Sequence, residues 1–149
     1  MGYTHYWKFN PSKESEKEFE LVIEDCQQIL KNSGDIVIRG GHGIGLPEVS
    51  KTKICFNGDA ATDNDYESFY FNVVESTDFD FCKTARRPYD LIVGAVLLSL
   101  SHRMTGFSFS SDGTYTENEW IPIFEFYEKI GLGFHEGEKN EIIHKINNG

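Results

Sequence analysis

Along this chain the spacing of hydrophobic and polar positions changes period several times, and each change marks an element. Residues 2–9 alternate, with Tyr3, His5, Trp7 and Phe9 on one face and Thr4, Tyr6 and Lys8 on the other. A period of two rich in aromatics predicts a first strand, and aromatics on both faces predict a central or doubly covered one. Phe19, Val22, Ile23, Cys26, Ile29 and Leu30 then recur at helical spacing, so residues 12–32 read as an amphipathic helix with one buried stripe. Asn10 or Ser12 is the expected cap, with Pro11 in the first turn, and Ser15 with Glu18 offers a second start as a capping box. Asn32-Ser33-Gly34 is the stop signal.

Ile36-Val37-Ile38 reads as a short strand. Gly40, Gly41, Gly43 and Gly45 follow around His42 and Ile44, and such a density of glycine predicts a mobile connecting loop. A lid or a phosphate cradle are the other readings of this loop. It is not a dinucleotide fingerprint, because Pro47 stands where a helix should begin. Residues 52–56 and 66–74 are predicted strands, the second with Phe69, Phe71 and Val73 on one face, joined by an acidic loop over 59–65. The run Leu91 to Leu100 is apolar around most of its circumference. A helix over 88–104 is therefore buried on several sides, with Pro88 in its first turn. Phe107 to Ser110 form a further strand, Ser111-Asp112-Gly113 a turn, and residues 118–130 a helix with Pro122 in its first turn. A polar tail follows from residue 131, with a short helix at 141–146. The order β-α-β-β-β-α-β-α predicts one α+β domain over 1–149, built on a largely antiparallel sheet that the 88–104 helix crosses.

Composition sharpens the picture. Hydrophobic residues make up 39% of the 149 and phenylalanine alone supplies 12, enough for a packed core. The 24 acidic residues exceed the 14 basic ones, for a formal charge of -10. That balance argues against general nucleic-acid binding and against docking on anionic membranes. The longest apolar run is too short to span a bilayer, and the first residues lack the pattern of a signal peptide. The three cysteines, Cys26, Cys55 and Cys82, are odd in number and show no C-x-x-C, so reduced thiols in a cytoplasmic protein are expected.

Against this acidic background, Lys83, Arg86 and Arg87 place three cations within five residues just before the predicted 88–104 helix. Backbone N–H groups at a helix start, together with lysine, arginine and the Thr84 hydroxyl, suit an anion. The competing reading is local ion pairing with Glu75, Asp78, Asp80 and Asp90. Tyr3, His5, Trp7 and Tyr89 are candidate stacking and hydrogen-bonding partners for the same ligand, although aromatics in a strand are more often core. The five histidines show no close pairing in sequence and the cysteines do not cluster, so no metal and no cofactor are expected. No nucleophile elbow occurs.

Gly2-Tyr3-Thr4-His5-Tyr6-Trp7, Phe56-Asn57-Gly58, residues 82–90 and Ser110-Ser111-Asp112-Gly113 resemble a family of small uncharacterised phage and microbial proteins over roughly residues 2–130. The resemblance implies no activity and no residue roles. The expectation is therefore a small binding protein that sequesters an anionic, nucleotide-derived molecule, as phage anti-defence sponges do, with a homodimer expected from its aromatic sheet faces. Two alternatives stand beside it. One is a metal-independent phosphodiesterase or related hydrolase, with His5 as general base and Lys83 or Arg86 stabilising developing charge. The other is an acidic protein-interaction module.

Overall fold

The alternating aromatic stretch forms β1 (Thr4–Phe9) in a computed structural model that describes residues 2–149. β1 is the middle strand of an antiparallel sheet, flanked by β5 (Thr77–Lys83) and β6 (Phe107–Ser111). Its alternation sorts the two faces as the pattern demands. Trp7 and Phe9 are buried, Lys8 is exposed and Tyr6 half-buried. A second antiparallel sheet orders β2 (Glu48–Val49), β3 (Lys53–Phe56) and β4 (Phe69–Asn72). An aromatic layer joins the two sheets: Trp7 lies 5.1 Å from Phe69 and Phe9 lies 5.0 Å from Phe71, centroid to centroid. Each such fully buried ring contributes about 1.5–3 kcal/mol through the water it sheds.

Four helices complete the α+β fold: α1 (Ser15–Lys31), α2 (Asp90–Arg103), α3 (Trp120–Lys129) and α4 (Glu138–Asn148). α2 packs against α1, α3 and β6, and every residue from Ile92 to Leu100 is buried. This is the enclosed helix that a run apolar around most of its circumference requires. Gly94 lets α3 come close, since a Cβ there would stand 2.6 Å from Ile123 Cδ1. Asp25 ties α1 to α2 by accepting from Ser99 Oγ (2.7 Å) and Arg103 Nε (2.9 Å).

Several expectations change. Instead of one sheet there are two small ones. Ile36-Val37-Ile38 is not a strand, because no neighbouring backbone pairs with it. The nearest pairing is a single bridge between Arg39 and Asn57. α1 begins at Ser15 without a side-chain cap. The Ser15 hydroxyl accepts from Ser12 N–H, while Glu18 reaches Thr105 rather than closing a capping box. Neither β5 nor the two-residue β2 was expected from the sequence. The tail beyond 131 carries a full helix, α4, whose Ile142 and Ile146 are buried. Among the described residues no helix is long and apolar enough to cross a membrane. Cys26, Cys55 and Cys82 are free thiols, and burial pushes all three pKa values up.

Candidate functional site

Between β5 and α2 the chain must reverse within a few residues, and it does so through a strained turn. Ala85 and Arg86 both have left-handed backbones (φ 52° and 60°), and Arg87 N–H donates to the Thr84 carbonyl at 3.0 Å. Two successive positive φ angles closed by that bond make a type I′ turn, which asparagine and glycine normally supply. Non-glycine residues held there cost on the order of 1 kcal/mol each, and such strain collects at functional places. The Tyr3 carbonyl anchors the turn by accepting from both Thr84 N–H (3.1 Å) and Ala85 N–H (3.3 Å).

The turn aims two arginines into a cleft of about 250 Å³ lined by Tyr3, Arg86, Arg87, Pro88, Asp90, Leu91, Asn118, Glu119, Pro122 and Ile123. Arg86 crosses the face of Tyr3, 4.1 Å from the ring centroid, and pairs with Glu119 at 2.8 Å. Burial raises the Glu119 pKa, but the Thr114 N–H and the Arg86 guanidinium outweigh it and hold the carboxyl below its usual value. Arg87 makes no ion pair among the described residues, and its Nε is buried without an acceptor.

Beneath the cleft lies a closed polar network. The register of β1 against β6 sets His5 opposite Ser111. His5 is fully buried, with Nδ1 2.8 Å from Ser111 Oγ and Nε2 2.7 Å from Asp90 Oδ1. Counting hydrogens assigns the tautomer. Ser111 Oγ accepts from Gly113 N–H (2.9 Å) and from Trp120 Nε1–H (3.0 Å), which fills both lone pairs, so its own proton goes to His5 Nδ1. His5 therefore donates from Nε2 to Asp90, whose Oδ1 also takes the Thr84 hydroxyl at 2.6 Å. Tyr3 covers this network with its hydroxyl buried and unpaired, pressed against Gly113. Burial, with the charges of Asp90 and Glu119, pushes the Tyr3 pKa up.

Of the residues singled out in the sequence, Tyr3, Arg86 and Arg87 line the cleft together. The others do not. Trp7 is in the aromatic layer between the sheets. Tyr89 is core, its hydroxyl donating to the Glu67 carbonyl at 2.6 Å. Thr84 is buried and spent on Asp90, and His5 is sealed below. Lys83 is turned toward the Tyr66 ring, 5.6 Å away. No residue of the 40–45 loop lines the cleft. Glu75, Asp78 and Asp80 form no ion pair with the turn; Glu119, which the sequence did not single out, takes that role. A second groove of about 310 Å³ runs over the sheet of β1, β5 and β6, past Tyr6, Phe79 and Ser110, and holds Lys8 as its lone cation. Compared with family models, curated proteins and solved structures, the chain gives no match, so the roles of these residues rest on their geometry.

Proposed function

We propose that the cleft between residues 86–91 and 118–123 binds a small anionic molecule carrying a phosphate or carboxylate group. The observation that carries this reading is Arg87, a cleft-lining guanidinium with a buried Nε lacking any acceptor. A buried donor left unpaired costs about 1–3 kcal/mol, and an anion between Arg87 and Arg86 removes that cost while engaging both forks. The ligand must also tolerate Asp90 and Glu119 in the same cleft. It therefore carries hydrogen-bond donors beside its anionic group, as a nucleotide with ribose hydroxyls and an exocyclic amine does. Base stacking by Trp7, His5 or Tyr89 has no place in this proposal, since all three are buried elsewhere. Binding without turnover fits a sequestering role.

The hydrolase reading draws on the Ser111–His5–Asp90 chain, which matches a nucleophile–base–acid order. Against it, Ser111 Oγ has both lone pairs filled and His5 is fully buried. Such a saturated network is what a structural tie looks like.

Isothermal titration against inorganic phosphate, nucleoside monophosphates and cyclic nucleotides tests the proposal. Saturable heat is expected with at least one of them, and Arg87→Ala should weaken it roughly tenfold or more, the worth of one charged hydrogen bond. Absence of heat across the panel, or equal heat for Arg86→Ala, Arg87→Ala and the parent protein, would sink it. Recovery of the bound nucleotide in hydrolysed form would favour the enzyme instead.

A further inference from the structure

Away from the cleft, at the other end of α2, the fold gathers residues that the sequence scatters. His102 lies in the last turn of α2, His135 in the loop before α4, and Glu138 is the first residue of α4. Each offers one ligand atom, and these atoms lie within 4.8 Å of one another. The two imidazole centroids are 4.6 Å apart. The expectation that the histidines do not pair holds along the chain but not in space.

We propose that His102, His135 and Glu138 bind a divalent transition metal of the zinc class. Two imidazoles and one carboxylate form a borderline donor set, which suits zinc, cobalt or nickel and is poor for magnesium or calcium. Three protein ligands leave a fourth position for water. Two of the ligands are held in place. The His102 side chain is 6% exposed, sits edge-on to Phe134 and bonds Glu138 Oε1 through Nδ1. Glu138 is folded back by a closed turn: its N–H donates to the His135 carbonyl at 3.0 Å, and His135 N–H donates to its Oε1 at 2.9 Å. Gly137 permits this turn with a φ of 81°. In a tetrahedral zinc site ligand atoms stand about 3.3 Å apart, given bonds of about 2.0–2.1 Å. The metal would replace the 2.5 Å hydrogen bond between His102 Nδ1 and Glu138 Oε1, whose proton leaves to solvent as the two atoms move apart, and the exposed side chain of His135 swings in as the third ligand. None of these residues belongs to the anion cleft, so this site stands or falls independently of it.

The test uses the full chain freed of metal by a chelator and titrated with Co²⁺, read by its visible absorption. The expected result is one saturable band, displaced by Zn²⁺ and untouched by excess Mg²⁺. His135→Ala and Glu138→Gln should each weaken binding about tenfold or more, since losing even an outer partner of a metal ligand costs that much. His144→Ala, an exposed histidine on the same helix, should leave binding unchanged. Zn²⁺ should also slow hydrogen exchange in the first turn of α4. No band at saturating Co²⁺ would overturn the proposal. So would competition by Mg²⁺, or equal affinity in His135→Ala and the parent protein, which would mean that His102 and Glu138 form a structural hydrogen bond only. Because His135 is exposed, its variant should fold whatever the result.

Discussion

At the first turn of α2 Asp90 meets His5, and at its last turn His102 meets Glu138. Each pair joins one imidazole to one carboxylate at a helix end. Charge placement therefore does not tell them apart. What differs is how many hydrogen-bonding positions are filled and how much water reaches them. Around His5 the atoms of Ser111, Trp120, Gly113 and Thr84 use up the donors and acceptors. Around His102 one member of the group, His135, is exposed with a ring facing its neighbour. A filled network fixes a turn in place, whereas a partly filled one can take on a ligand. The same histidine–carboxylate chemistry thus serves as scaffold at one end of the helix and as a docking point at the other.

The contrast can be broken most forcefully at His5. His5→Ala leaves Asp90 and Ser111 each short of a partner and opens a void, and should cost about 3–5 kcal/mol in urea unfolding. At the open end His135→Ala should cost less than about 0.5 kcal/mol in metal-free protein, as surface changes do. Similar losses at both ends would erase the distinction. Asp90→Asn keeps the shape and an acceptor for His5 but removes the charge at the helix start, so about 1–2 kcal/mol should be lost. Ala85→Gly should go the other way and stabilise the protein by about 0.5–1 kcal/mol, because the left-handed backbone no longer opposes a Cβ. Thermal unfolding of that variant measures the strain in the turn directly, and no gain would mean that Ala85 is unstrained.

The smallest effect concerns acid. The Thr114 N–H and the Arg86 guanidinium hold the folded-state pKa of Glu119 below the ordinary glutamate value of 4.5. Its contribution to stability is therefore complete above that value and lost as the pH falls through the folded-state pKa. Arg86→Ala removes one cause of the lowering, so the variant should lose less stability than the parent protein when unfolding is compared above and below about pH 4.5.

The sequence showed α2 plainly, because a run apolar on most sides can be buried only as a central element. β1 and the existence of β3 and β4 as strands were legible because alternation reports a buried face; that β3 pairs with β4 is something only the fold shows. β5 was not, because its alternation is inverted: Phe79 and Phe81 point to solvent while Asp80 is partly covered. Ile36-Val37-Ile38 has strand propensity but finds no partner, and propensity does not supply one. In α4 the spacing of Ile142 and Ile146 was the usable signal, masked by polar neighbours. At the site, Arg86 and Arg87 could be picked out as cations before a helix. The part played by Glu119 depends on how α3 packs, and the meeting of His102 with His135 depends on a loop that only the fold brings back.

Gly113 has a consequence for descent. A Cβ at this position would collide with the Tyr3 hydroxyl and crowd Trp120 Cδ1 at 3.2 Å, while the Gly113 N–H is committed to Ser111. Positions 3 and 113 therefore cannot drift separately. A relative that keeps Tyr3 must keep Gly113, and one that gains a side chain at 113 must have given up the tyrosine first. Because Tyr3 is also the surface across which Arg86 lies, lineages that have lost Gly113 are the ones in which the wall of the cleft should have been rebuilt.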